Sequence, residues 1–118
     1  QSLEISRNLK DSLREAAALG RLGNLYQQYP LGDRAENLER AIARYDAALS
    51  ILTWGTFSEK WAMTQNNLAI AYSNRIMGDK AQNIEQAKKC YKNALTVITL
   101  TVITLEAFPQ EHIETLSR

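Results

Sequence analysis

Residues 32–49 read GDRAENLERAIARYDAAL and residues 78–95 read GDKAQNIEQAKKCYKNAL. The two stretches lie 46 residues apart and are identical at nine of 18 positions, where average residue usage gives roughly one identity by chance. The same offset pairs Leu22 with Leu68 and Tyr26 with Tyr72, and further upstream Leu3 with Leu49 and Ile5 with Ile51. A period of this length marks a repeat architecture, in which each unit buries its apolar face only against its neighbours. The register divides the chain into 1–11, the tail of a preceding repeat helix, then 12–57 and 58–108 as two repeats. Residues 109–118 read as the start of a third.

The last unit is out of step by five residues, because Thr96–Leu100 reads TVITL and Thr101–Leu105 reads TVITL again. Removing one copy restores the register and aligns Phe108 with Phe57. Eight of these ten residues are β-branched and none is charged, which argues against a helix on local propensity. Continuity with the helix upstream argues for one. Five extra residues in a helix turn everything beyond them by a net rotation of roughly 140° and displace it by roughly 7.5 Å. The expectation is one long helix whose following segment leaves on another face. Self-association or a swapped terminal helix would then cover the apolar surface left open, since repeat arrays need polar caps.

Within each unit the apolar spacing is helical and never that of a strand. Leu38, Ala41, Ile42, Tyr45, Ala48, Leu49 and Leu52 form one stripe, and Ile84, Ala87, Tyr91, Ala94, Leu95 and Ile98 form its counterpart, with Lys88 in the place of Ile42. Capping-box spacing occurs at Ser12 with Glu15, Asp33 with Glu36 and Asp79 with Gln82. Ser58 opens another helix, Gly32 and Gly78 suit left-handed helix ends, and Pro109 suits a first turn. Helices are expected at about 12–29, 34–54, 58–76 and 80–106, after a tail at 1–9 and before a stub from 109. The fold class is all-α.

Leu22-Gly23-x2-Tyr26 and Leu68-Ala69-x2-Tyr72, followed by Ala41-x3-Tyr45-x2-Ala48-Leu49 and Ala87-x3-Tyr91-x2-Ala94-Leu95, resemble the tetratricopeptide repeat family over nearly the whole chain. The Trp position of that pattern is Leu19 or Gln65, and its closing Pro is Thr53 or Thr99. The 46-residue unit and the phrase from Trp61 to Tyr72 are similar to the long-unit variety found in kinesin light chains and in bacterial, especially cyanobacterial, signalling proteins. The resemblance implies an α-solenoid of antiparallel helix pairs wound as a right-handed superhelix. It further implies a non-catalytic module, part of a larger protein, that holds a partner peptide in a concave groove. On that pattern the groove positions are Ala17, Gly20, Arg21, Asn24, Gln27 and Gln28 in one unit, and Met63, Asn66, Asn67, Ile70, Ser73 and Asn74 in the next. Amides both donate to and accept from a peptide backbone, and Arg21 offers a fork for a carboxylate. The competing reading is a structural spacer or self-association element with an empty groove.

Other features favour no chemistry. Fourteen basic and 13 acidic side chains leave a net charge of +1, too little to argue for nucleic acid. The Lys88, Lys89, Lys92 patch has no aromatic platform beside it. The uncharged run Asn93–Leu105 is too short to span a bilayer, and no basic-then-apolar leader opens the sequence, so a cytoplasmic protein is expected. One Cys and one His exclude an internal disulfide and a multi-ligand Cys/His zinc site. Cys90 aligns with Arg44 and reads as a solvated face, while His112 aligns with Trp61 and reads as packing. Asp33, Glu36 and Glu39 are helix-start partners before they are a catalytic pair, and Trp54, Phe57 and Trp61 read as junction packing. No enzyme, metal or cofactor is expected.

Overall fold

The computed structural model describes residues 2–107, with side chains from residue 8 onward. Phe108, Pro109, His112 and the expected third-unit stub lie outside the described residues. Four helices account for the described chain: α1 (Ser2–Gln28), α2 (Arg34–Ile51), α3 (Ser58–Asn74) and α4 (Lys80–Ala107), with no strand among the described residues. None of these helices is long and apolar enough to cross a membrane.

The residues shared by the two 18-residue stretches build the turns before α2 and α4. Gly32 and Gly78 adopt φ of 85° and 81°, a left-handed conformation that a Cβ would strain. Asp33 accepts from the backbone N–H of Ala35 at 3.0 Å, and Asp79 from that of Gln82 at 3.1 Å, so each satisfies a donor that the first helical turn leaves orphaned. One residue type was not singled out from sequence. The buried amides of Asn37 and Asn83 donate to the carbonyls of Leu31 and Met77, each at 2.9 Å, and lock the chain on both sides of the glycine.

Two expected boundaries are corrected. No break separates residues 9 and 12: α1 runs straight through, and Ser12 lies inside it. The chain has no Gly or Pro from residue 2 to 19, and Leu9 occupies the register position that is Gly55 at the α2–α3 junction. Nor does Ser58 cap α3. Phe57 holds the cap position without a side-chain bond, and the Ser58 hydroxyl donates back to the Trp54 carbonyl.

Each helix packs against the next in sequence, and α1 also touches α3. Leu13, Ala16 and Leu19 of α1 meet Ala48 and Leu52 near the end of α2, whereas Asn24 and Gln27 reach Tyr45 in its middle. Ala41, Ile42 and Tyr45 of α2 join Leu68, Ala69 and Ala71 of α3 and Cys90 of α4 in the largest buried cluster. Arg75, at the end of α3, closes this side. Its Nε and Nη2 donate to the two carboxylate oxygens of Glu39 at 2.6 and 2.9 Å, and its Nη1 donates to Asn83 at 3.1 Å. A bidentate, partly buried pair of this kind fixes both distance and orientation.

The two apolar stripes have different fates. On α2, Leu38, Tyr45 and Leu52 are 0, 0 and 3% exposed; their counterparts on α4, Ile84, Tyr91 and Ile98, are 42, 42 and 56% exposed. Leu95 is exposed as well. α2 lies between α1 and α3, while α4 has α3 alone, so only Asn83, Ala87, Cys90, Ala94 and Val97 of α4 are buried. The duplicated segment is helical throughout, as expected. Thr96, Thr101 and Thr104 donate to the carbonyls four residues earlier, each at 2.9 Å, so their hydroxyls are satisfied without leaving the helix.

Candidate functional site

Nine of the twelve positions expected to line a groove separate into three groups. At one end, Gln27 and Gln28 of α1 and Asn74 of α3 share the wall of a polar cleft of about 530 Å³ with Tyr29, Pro30, Gly32 and Arg34. The C-terminal turns of α1 and α3 bring them together, and the Arg34 guanidinium, which donates to the Gln27 carbonyl, is the one charged group of that wall. An electronegative or carboxylate group of a ligand suits such a lining. At the other end, Met63 and Asn66 line a mostly apolar groove of about 560 Å³. Its opposite wall comes from α4, through Ala94, Val97, Ile98, Thr101 and Val102. Between the two, Asn67 and Ile70 are half-buried, and Arg21 and Asn24 are exposed on α1.

Two of the α1 amides already have a partner. The Tyr45 hydroxyl lies between the side-chain oxygens of Asn24 and Gln27, at 2.9 Å from the latter. A phenol carries one proton, so it donates to one amide while the other turns its NH2 to donate to the phenol oxygen. Asn24 and Gln27 therefore anchor α1 on α2, and Gln28 and Asn74 are the amides left facing the cleft. Burial pushes the Tyr45 phenol up to about 12, whereas an unfolded tyrosine ionises near pH 10. The folded chain holds this proton more tightly. Its stabilising effect is complete below pH 10 and is lost as pH rises through about 12, by about 1.4 kcal/mol per unit between the two. Urea unfolding at pH 9, 10, 11 and 12 should show this fall, and the Tyr45→Phe variant should show a shallower one.

Gln65 stands where the first unit has Leu19. It is 8% exposed, and its Oε1 is buried without a hydrogen-bond partner. An orphaned buried acceptor costs about 1–3 kcal/mol in lost hydration. Gln65→Leu, which installs the residue of the other unit at similar size, should therefore raise stability by about 1–2 kcal/mol. Thermal melts of the two proteins at equal concentration measure this.

The other singled-out side chains are structural. Trp54 and Trp61 stack at 6.1 Å between ring centroids and 16° between planes, and Phe57 and Trp61 pack on the Ala16–Ala48–Leu52 cluster. Cys90 requires a correction: it is buried and not on a solvated face. Burial first, and then the charge of Asp46, push its thiol up, against the smaller opposing effect of Lys89. A protonated thiol is a poor nucleophile. Glu36 pairs with Arg40 at 3.6 Å and Glu39 with Arg75. Among the described residues no group of three or more His, Cys, Asp or Glu is placed to hold a metal ion.

Sequence reasoning missed the α4 wall. Val97, Leu100, Thr101, Thr104 and Leu105 also form, with Trp54 and Ser58, a second apolar cleft of about 320 Å³. The signal was present in the uncharged TVITLTVITL run, whose apolar residues on a helix face far exceed what α3 can cover. Comparison with protein-family models, with curated proteins and with solved structures finds no match for this chain.

Proposed function

We propose that the chain is a non-catalytic protein-interaction module, a tetratricopeptide-like array of antiparallel helix pairs that holds a peptide or partner segment along the exposed sides of α1 and α3. The observation that carries this reading is the pairing of unlike surfaces along α3. A polar cleft with Gln28, Arg34 and Asn74 lies at its end, and an apolar groove with Met63 and Asn66 lies near its start. A peptide with an apolar anchor and an acidic or carboxylate group about two to three helical turns of α3 away from it would use both, the groove for buried area and the cleft for orientation. The sequence repeat supports the same reading, because equivalent positions 46 apart supply equivalent turns and so a regular spacing of the two faces. No catalytic residue, metal or cofactor enters it.

The experiment is a selection of peptides from a random library on the intact chain, followed by affinity measurement on variants. Asn66→Ala with Asn67→Ala, and separately Gln28→Ala with Asn74→Ala, should each weaken a selected peptide by about tenfold, equivalent to about 1.4 kcal/mol, with helical content unchanged. A library that yields no binder, or binders indifferent to both pairs, contradicts the proposal.

A further inference from the structure

The surfaces that α1 and α4 leave open are, by the 46-residue register, the two halves of the interface that α2 and α3 form with each other. Leu68 and Ala71 of α3 are 4 and 0% exposed where they meet α2, whereas Leu22 and Leu25, the same positions on α1, are 39 and 64% exposed. On the other side, Ile84, Tyr91, Leu95 and Ile98 repeat the α2 stripe that the neighbouring helices cover, and all four are exposed. The helix lengths agree with this pairing. α1 has 27 residues against 17 for α3, and α4 has 28 against 18 for α2, so both open helices are ten residues longer than their internal counterparts. Both extensions fall at one end of the pairing, before Ser12 on α1 and after Val97 on α4.

We infer that a second copy of this chain covers the α4 stripe with its own α1, head to tail, in the manner of α3 on α2. The ten-residue overhangs then run side by side and bury apolar surface of the TVITL duplication that no element of the same copy reaches. This goes beyond the peptide-binding reading and does not depend on it. The contact is heterologous, with different surfaces on the two partners, so assembly proceeds to longer oligomers and does not stop at a two-fold dimer. Lys88 occupies the Ile42 position in the middle of the stripe, which weakens the contact relative to the internal one.

Sedimentation of the full chain from about 10 μM to about 1 mM should show mass rising with concentration, the range in which contacts of this strength populate. Leu25→Glu and Leu95→Glu alter exposed positions on the two partner surfaces, and each alone should weaken association by at least about tenfold with helical content unchanged. An equimolar mixture of these two variants should recover dimers, because the intact α1 of one fits the intact α4 of the other. Lys88→Ile should tighten association. A chain that remains monomeric throughout the range, or an association that Leu25→Glu leaves untouched, overturns the proposal.

Discussion

Changing Tyr45 to alanine is expected to lower folding stability by about 3–5 kcal/mol, the usual cost of removing a large aromatic side chain from a packed interior. Tyr45 is one of the two largest fully buried side chains, and it touches three layers of the structure at once. Its ring lies against α1, its neighbours belong to α3, and its hydroxyl engages Asn24 and Gln27. Removing it opens a cavity that four helices cannot close by small shifts, and it returns two amides to competition for other partners. Against a total stability of about 5–15 kcal/mol for a domain of ordinary size, the loss should appear as a large decrease in the urea midpoint at unchanged slope. A loss below about 1 kcal/mol would mean that α2 is not enclosed as described.

Gly23→Ala should also lower stability, although it adds an apolar group to the interior. A Cβ placed on Gly23 would lie 2.5 Å from a ring carbon of Tyr45 and within 2.9 Å of two more, so the ring or the helix must move. Overpacking of this kind costs about 1–3 kcal/mol, partly offset by the better helix propensity of alanine, about 1 kcal/mol. The second unit shows the alternative arrangement. It has Ala69 at this position, and Tyr91 stands outside the core at 42% exposure. The sign of the effect should therefore depend on the ring. In a Tyr45→Ala background, Gly23→Ala should become stabilising by up to about 1 kcal/mol, because only the propensity gain remains. Unfolding free energies of the four proteins in this cycle give the coupling directly.

The turns and most helix limits were legible in the sequence because the residues that set them act locally. Gly32 and Gly78 supply a positive φ, and Asp33 and Asp79 supply a cap, each within a few residues of its target, so α2 and α4 begin where the spacing places them. The break expected before Ser12 was not legible in the same way. A capping-box spacing marks a helix start only if something upstream stops the previous helix, and Arg7 to Asp11 contains nothing that does. Burial was half legible. Periodicity identifies which residues share an apolar face, but whether that face is covered depends on a neighbouring helix that the pattern does not name. Leu38 and Ile84 therefore look alike in sequence and differ from 0 to 42% in exposure. Cys90 fails for the same reason in reverse: nothing in the pattern names the side of α4 that meets a neighbour, and Cys90 lies on that side, against Leu68, Ala69 and Ala71.

The candidate site was legible as a composition and not as a surface. Asn and Gln at exposed helix positions pointed to α1 and α3, yet nothing in their spacing separates Asn24 and Gln27, which hold Tyr45, from Gln28 and Asn74, which face the cleft. That separation arises from a residue 18 to 21 positions away. The apolar wall supplied by α4 depends in turn on a five-residue duplication whose geometric effect appears only once the helix is built.

Side-chain amide resonances offer the most direct test of the binding face. With a library-selected peptide added to isotopically labelled chain, the NH2 signals of Gln28, Asn66, Asn67 and Asn74 should shift progressively to saturation, while those of the buried Asn37 and Asn83 stay in place. Shifts confined to the Ile84–Leu95 face of α4, or no amide shift at saturating peptide, would contradict recognition along α1 and α3.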